Sequence, residues 1–317
     1  MTSSAFETLP RRVAVALLAI PVIVAAAMAG GYWFLALVAF ISGLSLYEFY
    51  RLAERNGAFP LKAVGLSAGF VVNAAFMYER FQVEVYGFFS DRGIHLSMFS
   101  QLQFLLVVLL AFLLVVLLVE LFRTKGSPML NSASTVLGVM IISLFYGTLI
   151  STRELFPYGF PVYKFFETGF ADDVQLAMIH RWGGYTIVSL FATIWICDTA
   201  AYFGGVRFGR HKLFERVSPS KTWEGAVFGF VTAILTMVAA RELFLEYLRL
   251  QDAIILGLFV GLFGQLGDLI ESRFKRDSAV KDSSGLIPGH GGFYDRFDSL
   301  VFVSPFVYLY IDFVVLS

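Results

Sequence analysis

Charged residues are scarce in this sequence of 317 residues. Asp, Glu, Lys and Arg make up 15% of it and hydrophobic residues 58%, whereas a soluble domain carries about 25% charged residues. A chain this apolar cannot bury its hydrophobic side chains in one water-facing core. Cysteine is scarcer still, since Cys197 stands alone, which excludes an internal disulfide and any cysteine-based metal site. The composition is typical of an integral membrane protein.

Long apolar runs indicate how the chain crosses a bilayer. The run from 101 to 122 carries a single charge, Glu120, and about 18 or more apolar residues are enough for a membrane-spanning helix. Lipid requires every backbone polar group to be paired within its own segment, which favours helices. We predict an all-α, polytopic membrane protein with about nine spans, at 12–29, 32–50, 63–79, 101–122, 134–150, 183–204, 224–240, 253–271 and 299–316.

The distribution of positive charge predicts the orientation of these spans. With the N-terminus in the cytoplasm and nine alternating spans, 17 of the 24 Lys and Arg residues lie inside. Cytoplasmic loops of membrane proteins carry an excess of Lys and Arg. We therefore expect a cytoplasmic N-terminus, with two long loops, 80–100 and 151–182, on the outer side.

The eighth predicted span carries polar residues along one face. Asp268, Glu271, Ser272 and Lys275 stand at i, i+3, i+4 and i+7, which places them on the same side of a helix. A carboxylate within a span costs about 2.5–3.5 kcal/mol on insertion scales, so it usually has a partner or a function. Two interpretations stay open: Asp268 binds a metal while Lys275 faces a phosphate, or the residues form an ion pair at the membrane interface.

A glycine-rich polar loop follows this span. It contains Lys281, His290, Asp295, Arg296 and Asp298. Glycine lets the backbone approach a ligand closely, and two aspartates three residues apart would converge on a helical turn, which suits a hard divalent cation. Carboxylates, basic side chains and glycines together are what Mg²⁺-dependent phosphoryl or nucleotidyl transfer requires. A charged interfacial loop is the alternative.

A third polar segment follows the sixth predicted span. Asp198 lies within the apolar run, and the string SPSKTWEG occupies 218–225. Gly204 and Gly209 have the spacing of a P-loop start, but the residues after them lack the required Lys and Ser or Thr, which excludes a Walker A motif. Lys221 is a candidate phosphate contact. A helix start with an aromatic anchor is the alternative for this string.

The polar residues after the eighth span resemble the motif of a known enzyme family. Three stretches carry the resemblance: Ser272-Arg-Phe-Lys-Arg, Lys281-Asp282 and Ile287-Pro-Gly-His-Gly-Gly-Phe-Tyr-Asp-Arg-Phe-Asp298. Together they are similar to the motif of the phosphatidate cytidylyltransferases, also called CDP-diacylglycerol synthases. The segments around Asp198 and Lys221 are similar to other parts of that family, although a serine stands at 220 where a second lysine is expected. The rest of the chain is similar only in being polytopic and apolar.

The resemblance implies a reaction, its cofactors and its partners. CTP and phosphatidate would give CDP-diacylglycerol and pyrophosphate in phospholipid biosynthesis. The resemblance implies Mg²⁺ and allows a second, monovalent cation such as K⁺. It also implies a homodimer. We expect the protein in the cell (inner) membrane, with its active site facing the cytoplasm as the distribution of Lys and Arg predicts. The lipid bilayer is the expected environment, and no nucleic acid is expected as a partner.

The resemblance and the residues together give each polar side chain a role. The predicted metal ligands are Asp268, Asp295 and Asp298, which with Lys275 form the predicted catalytic set. The predicted substrate-binding residues are Lys221, Ser272, Arg276, Lys281, His290 and Arg296. His290 is expected to bind substrate or support structure, because the attacking phosphate is already ionised. We interpret 1–317 as a single membrane domain, in which 1–182 is mainly scaffold and 183–317 carries the active site.

Two other functions stay open at this point. A transporter or channel would also place carboxylates in spans, but near the midplane of several helices, whereas these gather at one face. A CTP-dependent lipid kinase of the dolichol kinase type would release CDP rather than pyrophosphate. Gly261, Gly264 and Gly267 of the eighth span either line a groove that admits lipid or pack against neighbouring helices.

Overall fold

Helices make up most of the chain. The computed structural model describes residues 3–94, 97–166, 171–287 and 291–317. The helices are α1 (Ser3–Ala29), α2 (Gly31–Arg55), α3 (Lys62–Ala75), α4 (Tyr78–Ser90), α5 (Gln101–Phe122), α6 (Pro128–Gly138), α7 (Leu144–Glu154), α8 (Val162–Phe165), α9 (Asp173–Phe208), α10 (Trp223–Phe244), α11 (Leu250–Phe259), α12 (Gln265–Asp277) and α13 (Phe293–Tyr310). Single π-helical turns extend or join some of these, at Val139–Ser143, Leu155–Gly159, Val260–Gly264 and Ile311–Val315.

Among the described residues, seven helical segments are long and apolar enough to cross a membrane, which confirms the predicted all-α, polytopic membrane fold. They are Gly31–Arg55, Gln101–Phe122, Pro128–Gly159, Asp173–Phe208, Trp223–Phe244, Leu250–Asp277 and Phe293–Val315. The other two predicted spans coincide with shorter apolar helical segments, Val15–Ala29 and Lys62–Ala75. The count of nine spans therefore stays a prediction.

The longest helix, α9, begins well before the span predicted at 183–204. Its start is fixed by a capping box, in which Asp172 Oδ1 accepts from the Gln175 N–H at 2.7 Å and Gln175 Oε1 accepts from the Asp172 N–H at 2.9 Å. Such reciprocal bonds satisfy N–H groups that a helix start leaves unpaired. The sequence prediction followed hydropathy, which rises only after these polar residues, and so it placed the start too late.

Close approaches at glycine hold the helices around the polar end of the bundle. α9 and α10 pack along much of their length, and a Cβ at Gly225 would lie 2.6 Å from the Ala201 carbonyl oxygen of α9. A Cβ at Gly261 would lie 2.9 Å from the Phe230 ring of α10, and one at Gly267 would lie 2.9 Å from the Asp298 carbonyl oxygen of α13. These glycines are helix-packing contacts, so Gly261 and Gly267 do not line a lipid groove.

A small β-hairpin joins α9 to α10 and departs from the purely helical prediction. β1 (Lys212–Phe214) pairs antiparallel with β2 (Ser218–Thr222), with Lys212 opposite Thr222. Thr222 then caps α10, because its Oγ1 accepts from the Gly225 N–H at 3.2 Å. The cap agrees with the predicted helix start. The strands are too short and too polar for an alternating pattern to predict them.

The packing at glycine leads to a stability prediction. A Cβ at Gly257 would lie 2.6 Å from the Ile234 Cα, whereas a Cβ at Gly43 would have no atom within 4 Å. Overpacking a core typically costs about 1–3 kcal/mol, so Gly257→Ala is expected to lower the unfolding temperature in detergent. Gly43→Ala is the matched control and is expected to leave that temperature unchanged or slightly raised. Equal unfolding temperatures for the two variants would contradict the close contact between Gly257 and Ile234.

Candidate active site

Carboxylates from two packed helices converge at one end of the bundle. Asp268 and Glu271 belong to α12 and Asp298 to α13, and one oxygen of each lies within 4.8 Å of the other two. α12 and α13 pack against each other, which brings the predicted face of α12 to the start of α13. Asp198, from the last turns of α9, interacts electrostatically with Asp268 and Asp298. Three helices therefore supply four acidic groups to one region.

Two lysines balance part of this negative charge. Lys221, on β2, forms an ion pair with Asp268. Lys275, one turn beyond Glu271 on α12, lies 2.6 Å from Glu271 Oε2 and 2.7 Å from Asp295 Oδ1. Both lysines therefore contact carboxylates of this region, and their predicted phosphate contacts stay predictions. The acidic groups still outnumber these two ammonium groups.

The cluster of Asp268, Glu271 and Asp298 fits a hard divalent cation. Glu271 is completely buried, and its Oε2 lies 2.6 Å from the Lys275 ammonium, which also contacts Asp295 at 2.7 Å. A buried carboxylate that shares one cation with a second carboxylate is only partly compensated, which is costly. A cation held between these three groups would offset that cost, and carboxylate oxygens are the ligands that Mg²⁺ prefers. These residues could hold a metal ion.

Asp295, which the sequence predicted as a metal ligand, makes other contacts. Its Oδ1 accepts from the Lys275 ammonium at 2.7 Å. Its Oδ2 accepts from the Gly292 N–H at 2.7 Å, the Ser283 N–H at 2.9 Å and the Ser283 hydroxyl at 2.8 Å. Glu271, not Asp295, is the third member of the converging group. The sequence placed Glu271 on the correct helix face but gave it no role.

The predicted substrate-binding residues differ in their surroundings. Ser272 is buried, and its hydroxyl donates to Asp268 Oδ1 at 3.3 Å. The Arg276 guanidinium instead donates to two backbone carbonyls, those of Val217 at 3.2 Å and Val280 at 3.0 Å. Arg276 therefore ties α12 to the hairpin in this structure, and its predicted phosphate contact would require these bonds to break.

The remaining predicted contacts lie on the loop and the first turn that follow α12. Lys281 and Arg296 are exposed, and Arg296 interacts electrostatically with Asp198. His290 lies outside the described residues. Next to it, the Ile287 N–H donates to the Gly291 carbonyl at 2.9 Å, which draws the two ends of the glycine-rich loop together.

Comparison with known protein families matches almost the whole chain. Residues 10–314 match the model of the cytidylyltransferase family. The chain belongs to this family. The match includes residues 10–182, where the sequence motif gave no specific resemblance.

Curated relatives of this chain are bacterial proteins named phosphatidate cytidylyltransferase. The protein from Bacillus subtilis (strain 168) is 41% identical over 138 residues, which are 43% of this chain and 50% of that protein. The protein from Staphylococcus aureus (strain COL) is 45% identical over 125 residues, which are 39% of this chain and 47% of that protein. The chain spans about half the length of the curated relatives it matches.

The converging carboxylates lead to a metal-binding prediction. Glu271→Gln removes one charge from the converging group, so it is expected to weaken Mn²⁺ binding at least about tenfold, or ~1.4 kcal/mol. Electron paramagnetic resonance titration of the purified protein would measure this. Asp277→Asn is a control on the same helix, because Asp277 is exposed and accepts from Asn56 at 3.0 Å. An unchanged affinity in Glu271→Gln would exclude Glu271 as a ligand.

Proposed function

We propose that this protein transfers the cytidylyl group of CTP to phosphatidate in a Mg²⁺-dependent reaction that forms CDP-diacylglycerol and pyrophosphate. The observation that carries the proposal is the convergence of Asp268, Glu271 and Asp298 beside Lys221 and Lys275, in a member of the cytidylyltransferase family. The names of its bacterial relatives support phosphatidate as the acceptor.

The position of the site suits one lipid substrate and one water-soluble substrate. The carboxylates lie at the ends of candidate membrane spans, next to the hairpin that joins α9 to α10. At such a position a lipid keeps its acyl chains in the bilayer while its phosphate meets a nucleotide from the water phase. A transporter would instead be expected to carry ionisable residues near the midplane of several helices.

The proposed step is a displacement at phosphorus. An oxygen of the phosphatidate phosphate attacks the α-phosphorus of CTP, a new P–O bond forms, and the bond to the β-phosphate breaks so that pyrophosphate leaves with the electron pair. The attacking phosphate is already ionised, so no side chain needs to remove a proton. Two anions must meet, so positioning and charge neutralisation dominate the lowering of the barrier.

The side chains divide this work between them. When bound, Mg²⁺ held by Asp268, Glu271 and Asp298 would neutralise phosphate charge, and the excess of acidic groups is compatible with a monovalent cation such as K⁺ as well. Lys221 is partly exposed and can turn from Asp268 to a substrate phosphate. Lys275 is buried between two carboxylates and holds them in place.

The proposal also covers the location, orientation and oligomeric state of the protein. The protein would act in the cell membrane, with the site facing the cytoplasm, where CTP is available. The excess of Lys and Arg on the predicted inner side supports this orientation. We also propose a homodimer, which the resemblance to the family suggests.

A product assay tests the reaction directly. Detergent-purified protein supplied with CTP, phosphatidate and Mg²⁺ is expected to release pyrophosphate and CDP-diacylglycerol in equal amounts. Chelation of the metal should stop the reaction, and Asp298→Asn should slow it at least about a hundredfold. Glu242→Gln is the control, because Glu242 is exposed at the far end of α10 and pairs with Arg241.

The identity of the product separates the proposed reaction from the lipid kinase. Release of CDP with a phosphorylated lipid would establish the kinase reaction. No product of either kind, with a working control enzyme in the same assay, would overturn the enzyme proposal.

Cysteine labelling tests the orientation. In a Cys197→Ser background, Glu215→Cys places a thiol in the turn between β1 and β2, and Asp91→Cys places one just after α4; both positions are exposed. A membrane-impermeant maleimide added to intact cells is expected to label the thiol at 91 and spare that at 215, which should react only after permeabilisation. The reverse pattern would invert the proposed topology.

A further inference from the structure

A buried carboxylate on a distant helix contacts the start of the catalytic segment. Glu48 lies on α2 and is completely buried. Its Oε1 accepts from the Ser284 hydroxyl at 2.5 Å and the Phe293 N–H at 3.1 Å. Its Oε2 accepts from the Tyr294 N–H at 2.8 Å and lies 2.9 Å from the Ser283 hydroxyl. All four contacts reach the loop before α13 or the first residues of that helix.

Through these contacts Glu48, a residue of α2, caps the N-terminus of α13. The first turn of a helix has N–H groups without intrahelical partners, and an anion there is stabilised by the helix dipole. Glu48 takes the first two N–H groups of α13, those of Phe293 and Tyr294, while Asp295 takes that of Gly292. A Cβ at Gly292 would lie 2.7 Å from the Glu48 Cδ, so the chain can approach this closely only at glycine.

A continuous line of polar contacts leads from Glu48 to the carboxylate cluster. The Ser283 hydroxyl lies between Glu48 Oε2, at 2.9 Å, and Asp295 Oδ2, at 2.8 Å. Asp295 in turn accepts from the Lys275 ammonium, which lies 2.6 Å from Glu271. A change at Glu48 would therefore reach the cluster both through this line and through the first turn of α13.

The first turn of α13 sets the position of one of the candidate metal ligands. Asp298 follows Phe293 by five residues on the same helix, so the direction in which α13 begins decides where the Asp298 carboxylate lies. Glu48 does not belong to the converging group of Asp268, Glu271 and Asp298. Its contacts are with the residues that hold this group in place.

We propose that Glu48 is a positioning residue of the active site, which fixes the start of α13 and the Ser283–Ser284 segment so that Asp298 and Glu271 keep a metal-binding arrangement. The inference rests on the proposed function for its catalytic meaning, whereas its effect on metal binding can be measured without any substrate.

The test compares two buried carboxylates. Glu48→Gln keeps the shape of the side chain, but its amide nitrogen cannot accept a hydrogen bond as the second carboxylate oxygen does. It is expected to weaken Mn²⁺ binding about tenfold and to raise the Mg²⁺ concentration for half-maximal activity similarly. Excess Mg²⁺ should restore most of its turnover, because Glu48 touches neither metal nor substrate. Glu48→Asp, which keeps the charge, should fall between the wild-type protein and Glu48→Gln.

Glu120→Gln is the matched control. Glu120 is also buried, and it accepts from Arg123 at 2.8 Å and Asn131 at 3.1 Å near the end of α5. Both glutamine variants should lose some thermal stability, but only the one at Glu48 should change Mn²⁺ affinity. Equal stability losses with unchanged Mn²⁺ affinity in Glu48→Gln would show a purely structural role and overturn the proposal.

A second variant covers the case in which Glu48→Gln does not fold. Ser283→Ala removes only the hydroxyl between Glu48 and Asp295, and it should weaken Mn²⁺ binding in the same direction by a smaller factor. An unchanged affinity there would also overturn the proposal. If Mn²⁺ binding responds as expected but the product assay yields no CDP-diacylglycerol, the positioning role stands and the proposed reaction fails.

Discussion

The structure depends on the compensation of negative charge at one end of an apolar bundle. Asp198, Asp268, Glu271 and Asp298 come from three helices that pack together through small residues and aromatic rings. Like charges in a region of low polarity repel strongly. They can stay close only where cations and hydrogen-bond donors face them. Lys221 of the hairpin and Lys275 and Ser272 of α12 contribute such groups.

Lys221 and Lys275 compensate the negative charge in different ways. The Lys221 and Asp268 side chains are 26% and 33% exposed, whereas those of Lys275, Glu271 and Asp295 are 11%, 0% and 5% exposed. An ion pair near water is easily exchanged, because its net stabilisation is small. A buried pair is strongly destabilised by loss of one partner. The partly exposed pair of Lys221 and Asp268 is therefore consistent with the proposed substrate contact of Lys221, whereas Lys275 is held between two buried side chains.

Local chemistry made part of this arrangement predictable. Lipid forces apolar segments into helices, so the predicted spans overlap the seven long apolar helical segments among the described residues. The i, i+3, i+4, i+7 spacing placed Asp268 and Glu271 on one face of α12. The same reasoning predicted Asp295 as the third carboxylate, whereas Glu271 is the one that converges with Asp268 and Asp298. That choice depends on the angle at which α13 starts, which is set by contacts with Ser283 and Gly292 and not by spacing along the chain.

Glu48 is subject to the same physical constraint as Asp268. A carboxylate within a span is costly without a partner or a function, and Glu48 lies in the second predicted span. Its partners lie more than 230 residues further along the chain, so no local pattern could reveal them. The rule does show that such a residue needs a partner. For Glu48 these partners are the backbone N–H groups that begin α13 and the serine hydroxyls just before it.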